Sequence, residues 1–255
     1  MDILSERQNR ILALARENGK VDVEKLSNTF KVSPQTIRKD LNELCDKQLL
    51  QRVHGGAIVG SGIENVSYEA RRLLAPEAKK AIGKAAAALI PDHSSLLINI
   101  GTTTEQVAHA LRDHRGLLVI TNNINAVEIM KNFLGIELII AGGQVRRSDG
   151  GIVGVAAVDF INQFKADYAI IGVSAIDEDG ALLDYDFREV RVAQAIIKNA
   201  RQVILVTDTM KLERTAPIRI DHISRINTIV VDNVLPQKLN DICRENGVKI
   251  VIAQP

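Results

Sequence analysis

Gln35, Arg38, Lys39 and Asn42 recur at spacings of three and four, which on an α-helix gathers them on one face. Such a face can read base edges: Gln and Asn amides match adenine, Arg matches guanine, and Lys suits a phosphate. Ser33 and Thr36 add hydroxyls at the start of the same stretch, and Arg52 and His54 form a basic rim after it. A second group of residues suits a small polar ligand. Gly101-Thr102-Thr103-Thr104 lets the backbone turn closely and offers N–H and hydroxyl groups to an anion such as phosphate. Asn122 and Asn123 can hold sugar-type hydroxyls. The run Gly142-Gly143-Gln144-Val145-Arg146-Arg147-Ser148-Asp149-Gly150-Gly151 can close over a ligand, with Arg146 or Arg147 neutralising a phosphate. Asp184 either faces that pocket or caps a helix beginning near Glu189. Lys211 either reaches a ligand anion or is a solvated loop lysine.

The flanking sequence supplies the elements that position these groups. Ser5-Glu6-Arg7-Gln8 fits a capping box opening a first helix, and Asn18-Gly19 ends it in the manner of a glycine cap. A second helix over Val23 to Phe30 is capped by Asp22, and Lys31-Val32-Ser33 is a tight turn. Ser33-Pro34 starts the third helix, whose inward stripe is Ile37, Leu41 and Leu44. Leu49–Val53 and Ala57–Val59, joined by His54-Gly55-Gly56, read as a two-stranded wing. Two helices, a tight turn, a polar-faced helix and a wing make a winged helix-turn-helix. The competing reading of residues 1–58 is a helical bundle with a solvated charged face.

Residues 59–74 read as a linker, small and polar over Gly60–Ser67. From Ala75 the pattern becomes strand-helix alternation. Apolar runs over 96–100, 117–121, 138–141, 168–173, 203–207, 228–231 and 249–252 are near-continuous, as in strands buried on both faces. Helical patterns fall between them, at 105–111, 126–133, 156–164, 189–200 and 237–245. The expected fold class is therefore α/β: a winged helix-turn-helix, then a larger effector-binding and oligomerisation domain over 75–255 with a mostly parallel sheet. Ligands of such sheets bind beyond the C-terminal strand ends, where the Gly-Thr-Thr-Thr, Asn-Asn and Gly-Gly groups fall.

Composition narrows the function. Among 255 residues, 32 Lys and Arg balance 31 Asp and Glu, which excludes nucleic-acid binding through bulk charge. Residues 1–58 hold ten basic and eight acidic residues, a net of +2, and the span from Lys31 to Lys39 has three basic residues and no acidic one. A protein with this balance must read its site through a shaped helix. Cys45 and Cys243 form no CxxC pair, and the five histidines show no metal spacing, so neither a metal nor a cofactor is expected. The apolar runs are too short for a membrane span and the N-terminus is charged, so a cytoplasmic protein is expected. No catalytic residue is assigned. The residues alone leave open a sugar-phosphate isomerase-like enzyme, for which Asp184 and Lys211 are the nameable acid and base, and a protein-binding winged helix.

Both groups of motifs resemble the DeoR family of bacterial transcriptional repressors over almost the whole chain. Val32-Ser33-Pro34-Gln35-Thr36-Ile37-Arg38-Lys39-Asp40-Leu41 resembles the family's DNA-reading helix, and Val53-His54-Gly55-Gly56-Ala57 its wing. Ile100-Gly101-Thr102-Thr103, Thr121-Asn122-Asn123 and Ala141-Gly142-Gly143 resemble its effector-domain motifs. That domain is similar in fold to ribose-5-phosphate isomerase and CoA-transferase domains, which implies a sugar-phosphate pocket. Ser148–Gly154, Asp159–Phe164 and Asp184–Arg191 resemble a branch of the family that answers to glycerol 3-phosphate. The resemblance implies a repressor of glycerol genes that binds double-stranded operator DNA, with glycerol 3-phosphate as inducer and a tetramer as its homo-oligomer. Asn99 stands where the family often has Asp, His93 where Gly is common before the first strand, and Thr209-Met210 where hydroxyl-rich residues usually lead to the family's Lys.

Overall fold

A computed structural model describes residues 4–46, 49–59 and 68–254. The chain divides into two compact units, Met1–Leu74 and Ala75–Pro255.

In the first unit, α1 (Glu6–Asn18) opens on the capping box expected of Ser5 and Gln8 and ends at Gly19, whose φ of 71° is left-handed. Strand β1 (Lys20–Asp22) leads to α2 (Val23–Phe30), whose cap Asp22 accepts from the N–H groups of Glu24 and Lys25. After α3 (Pro34–Asp46) come β2 (Leu50–Val53) and β3 (Gly56–Val59). The wing has three strands, not two: β1 pairs antiparallel with β3, Val21 opposite Ala57 and Asp22 opposite Gly56. A Cβ on Gly56 would lie 2.0 Å from the Val21 carbonyl oxygen, so this approach requires glycine. Ile11, Ile37, Leu41 and Leu44 are fully buried and join the three helices in one core. The stretch read as linker contains α4 (Tyr68–Leu73) within its described part.

The second unit runs α5 (Pro76–Ala87), β4 (Ser95–Ile98), α6 (Thr102–Ala110), β5 (Leu117–Thr121), α7 (Ile124–Met130), β6 (Ile136–Ile140), β7 (Gln144–Val145), β8 (Ile152–Val153) and α8 (Val155–Ile161). It continues with β9 (Ala166–Ile171), β10 (Ala175–Ile176), β11 (Ala181–Asp184), α9 (Phe187–Lys198), β12 (Ala200–Thr207), β13 (Ile218–His222), β14 (Thr228–Val231), α10 (Gln237–Glu245) and β15 (Lys249–Ile252). Seven strands form one parallel sheet in the order β15-β14-β12-β9-β4-β5-β6. Consecutive strand residues bury on opposite faces. Leu96 and Ile98 pack with Ile82, Val107 and Leu111, whereas Leu97 and Ile120 pack with Ala157, Ile161 and Ile196. Burial on both sides explains the unbroken apolar runs of the five inner strands, β14, β12, β9, β4 and β5; the edge strands β6 and β15 are only partly buried. Two antiparallel additions lie outside this sheet, the trio β10-β11-β13 and the hairpin β7-β8.

Strand order also locates the crevice. From β4 the chain winds outward through β5 and β6, then returns to the other side of β4 at β9 and winds outward through β12, β14 and β15. The winding reverses between β4 and β9, and in open α/β sheets ligands bind beyond the C-terminal strand ends at such a point.

Candidate functional site

On α3 the apolar stripe and the polar face separate as the spacing requires. Ile37, Leu41 and Leu44 are buried, while Gln35, Arg38, Lys39 and Asn42 are exposed and Thr36 is half-buried. Ser33 ties down the helix start, its Oγ accepting from the Thr36 N–H at 3.2 Å. The flank of α3 beside this face is braced to α1. Arg7 donates to both oxygens of buried Asp40, at 2.5 and 3.2 Å, and Gln8 Nε2 donates to Glu43 Oε2 at 2.6 Å. The Asp40 bond raises the Arg7 pKa further above its ordinary value. Ser33, Gln35, Thr36, Arg38, Lys39 and Asn42 all line one open groove of about 1100 Å³, together with Ser5 and Arg7. Arg52 and His54 lie on the wing hairpin instead, both exposed; Arg52 Nη1 donates to the Gly56 carbonyl across the turn at 2.7 Å.

The second unit gathers its motifs at the reversal point. Helix α6 starts at Gly101, whose φ of 148° no L side chain adopts comfortably and whose position carries no side-chain cap. The N–H groups of Thr102, Thr103 and Thr104 therefore begin the helix without intrahelical acceptors, at its positive end. All three threonines are buried, and Thr104 Oγ1 is engaged with the carbonyls of Asn99 and Gly101 at 2.9 and 2.8 Å. Asn99 faces the neighbouring strand end: its Nδ2 donates to the Gly172 carbonyl at 3.0 Å and its Oδ1 accepts from the Gly172 N–H at 2.8 Å. This residue clamps the end of β4 to the end of β9.

Asn122 and Asn123 occupy the end of β5, both fully buried, with different duties. Asn123 caps α7, its Oδ1 accepting from the N–H groups of Asn125 and Ala126 at 2.9 and 3.3 Å. Asn122 Nδ2 donates to the Ile152 carbonyl at 3.0 Å and to Glu189 Oε2 at 3.2 Å. The glycine-rich run forms the β7-β8 hairpin, with Gly142 and Gly143 exposed ahead of it and Gly150 left-handed at its turn. Arg146, read from the sequence as a cation for phosphate, is committed elsewhere. It grips Asp149 through two bonds of 2.9 Å and Asp186 through one of 3.1 Å. These carboxylates raise the Arg146 pKa against the opposing effect of its burial. Asp186, bound by Arg188 and then Arg146, is held well below the usual carboxylate range. Asp184 accepts from the Ser174 hydroxyl at 2.9 Å and the Tyr185 N–H at 2.6 Å. Lys211 lies buried in a 3-10 turn, Thr209–Glu213, just past β12.

Sequence reasoning missed a buried carboxyl beside the crevice. Glu189 is 2% exposed, and burial pushes its carboxyl well above its ordinary pKa, with Arg146 opposing and Asp184 and Asp149 adding to the rise. Its only local signal was an acidic residue in the first turn of α9, an ordinary partner for the helix dipole. Lys79 on α5 and Glu105 on α6 are likewise buried charges that local pattern gave no reason to select.

An exposed polar and basic helix face with a wing, followed by an open α/β unit with a reversal-point crevice, fits the class of DNA-binding regulators that carry a ligand-binding domain. Comparison with known proteins gives the family. The DeoR-like helix-turn-helix domain matches residues 7–61, and the DeoR C terminal sensor domain matches residues 74–233. The chain belongs to the DeoR family of transcriptional repressors. It is 41% identical to the glycerol-3-phosphate regulon repressor of Escherichia coli K12, covering 96% of this chain and 98% of that one. Identity to the Haemophilus influenzae protein of the same name is 42%, over 97% and 96%. The repressor CsqR of Escherichia coli is 35% identical over 97% and 95%. These relatives are named as transcriptional repressors, not enzymes, and this chain is a DeoR-type repressor with operator DNA and a small-molecule effector as its partners. Solved structures similar to it include ribose 5-phosphate isomerase A from Methanocaldococcus jannaschii (15% identity, 54% of each chain, TM-score 0.40) and translation initiation factor eIF-2B from Pyrococcus horikoshii (17%, 88% and 86%, TM-score 0.47). Among the described residues, no helix is long and apolar enough to cross a membrane.

Proposed function

We propose that this repressor is released from its operator by a phosphorylated polyol, glycerol 3-phosphate, bound at the crevice between the ends of β4 and β9. The observation that carries the proposal is the uncapped start of α6 at the reversal point, where buried Thr102 and Thr103 bring N–H and hydroxyl groups together. The names of the two most similar relatives described above support glycerol 3-phosphate over other phosphates. Gly101, Thr102, Thr103 and Thr104 hold the phosphate, with Lys211 as its cation. Asn122, Asn123, Gly142, Gly143, Arg146, Asp149, Gly150 and Asp184 form or brace the remainder of the site. In the DNA-binding unit, Gln35, Arg38 and Asn42 read bases, while Ser33, Thr36, Lys39, Arg52 and His54 hold the backbone. The domains run 1–58 for DNA, 59–74 for the connection and 75–255 for effector binding and assembly. The protein acts in the cytoplasm as a tetramer, which multiplies a modest single-domain affinity. Effector binding shifts the assembly towards a state with poor operator affinity, with a coupling of roughly 1–3 kcal/mol per ligand.

Calorimetry with glycerol 3-phosphate and a panel of sugar phosphates tests the effector. Glycerol 3-phosphate is expected to bind most tightly; its failure to bind while another phosphate does so would reassign the inducer. An Arg38→Ala protein is expected to lose discrimination between operator and random duplex. Retained discrimination would remove Arg38 from base reading.

A further inference from the structure

Glu189 and Asn122 form a buried pair with spare hydrogen-bonding capacity. Their side chains meet at 3.2 Å, Nδ2 to Oε2, yet Asn122 Oδ1 and Glu189 Oε1 are buried with no hydrogen-bond partner in the protein. The amide orientation is fixed, because Asn122 Nδ2 already donates to both the Ile152 carbonyl and Glu189. A buried oxygen left unsatisfied keeps its full desolvation penalty, and native proteins seldom retain one without a reason.

The charges around the pair decide what suits it. Arg146 and Arg188 are outnumbered by Asp149, Asp184 and Asp186, and Arg146 is already held by two of those carboxylates. A phosphate brought here would meet surplus negative charge. A hydroxyl would not, and it can donate to one oxygen while accepting from a protonated carboxyl. The location fits the other end of a phosphorylated ligand. Thr121 stands opposite Ile98 in the last pair of β4 and β5, so Asn122 leaves the sheet next to the point where the chain leads through Asn99 into α6.

We infer that Glu189, paired with Asn122, reads the hydroxyl groups of the effector, which lies with its phosphate at the start of α6 and its hydroxylated end at this pair. The inference rests on the effector reading above and gives it an orientation and a specificity-determining residue.

The test is calorimetry on the full chain with glycerol 3-phosphate, its two monodeoxy analogues (propane-1,2-diol 1-phosphate and propane-1,3-diol phosphate) and inorganic phosphate. Wild type is expected to bind at least one deoxy analogue about tenfold or more weakly than glycerol 3-phosphate, the size of one hydrogen bond lost at a buried partner. Glu189→Leu is expected to shrink that preference to within about threefold and to leave inorganic phosphate binding unchanged. Glu189→Gln serves as a second variant and is expected to retain an intermediate preference. A Glu189→Leu protein that still discriminates overturns the inference, as does equal loss of inorganic phosphate binding. If neither variant folds, the wild type decides: analogues bound as tightly as glycerol 3-phosphate overturn it. Failure of every polyol phosphate to bind wild type overturns the effector reading itself, whereas binding without hydroxyl discrimination overturns only the orientation.

Discussion

Replacing Asn99 by Asp tests the clamp at the heart of the sheet. The Asn99 amide donates to the Gly172 carbonyl at 3.0 Å and accepts from the Gly172 N–H at 2.8 Å, in a site only 2% exposed. An ionised carboxylate keeps the second bond and sets an oxygen against the Gly172 carbonyl, at a cost of about 1–3 kcal/mol for the lost bond and the unsatisfied acceptor. The penalty has a ceiling. A protonated acid is close to isosteric with the amide, and holding a proton at pH 7 on a group of ordinary pKa about 3.9 costs about 4 kcal/mol. For a domain of this size each kcal/mol moves Tm by roughly 2–4 °C, so a fall of roughly 2–12 °C is expected near neutral pH. The sign with pH follows from the same geometry. The introduced carboxyl has a raised pKa in the folded state, so its protonated form is tolerated at low pH and stability is lost as pH rises through that pKa. Thermal melts followed by circular dichroism at pH 5 and pH 8, wild type beside Asn99→Asp, read this directly. The gap between the two proteins should widen at pH 8. Equal melting temperatures, or a gap that does not change with pH, would refute the clamp.

Three further outcomes follow from the same packing and electrostatics. Glu189→Gln should flatten the fall of Tm with rising pH: burial raises the Glu189 pKa, against the opposing charge of Arg146, so its stability contribution is lost as pH rises through that raised value. Parallel Tm-versus-pH curves for the two proteins would show that Glu189 titrates normally. Gly56→Ala forces a methyl to within 2.0 Å of the Val21 carbonyl and should destabilise the wing by about 1–3 kcal/mol. Gel shifts should show operator affinity lost while calorimetry shows effector binding intact; unchanged operator affinity contradicts the close approach. Arg7→Met leaves the buried Asp40 carboxylate without its cation. Because the Arg7 side chain is 35% exposed, the cost is about 1–2 kcal/mol, well below that of a fully buried pair. A double-mutant cycle with Asp40→Asn, followed by urea unfolding, should return a coupling of that order; a coupling near zero would refute the brace.

What was legible in the sequence was local or periodic. The Ser5–Gln8 capping box and the Asp22 cap needed only their own turn, and the α3 faces needed only a 3.6-residue period. The five inner parallel strands announced themselves because burial on both sides leaves no polar alternation, and the partly buried edge strands β6 and β15 showed the same apolar runs. Interactions that depend on distant partners were hidden. Strand β1 is three residues long, and only pairing with β3 marks it as a strand. Arg146 looked available for phosphate because Asp186 lies 40 residues away, and the Asn99 clamp left no local sign because Gly172 lies 73 residues away. The buried Glu189 was invisible for a related reason: a first-turn glutamate is usually solvated, and only the packing of α9 near the end of β5 and the β7-β8 hairpin removes it from water.

The proposed function couples, in one chain, base reading by α3 to a crevice that senses a phosphorylated polyol. Fluorescence anisotropy of labelled operator duplex, titrated with the full-length protein at fixed salt with and without glycerol 3-phosphate, reads that coupling. The predicted result is tight binding to operator over random duplex, weakened by glycerol 3-phosphate roughly 5–150-fold, the range of ordinary allosteric coupling. Operator affinity that is unchanged by glycerol 3-phosphate, at concentrations that saturate the protein in calorimetry, would contradict it.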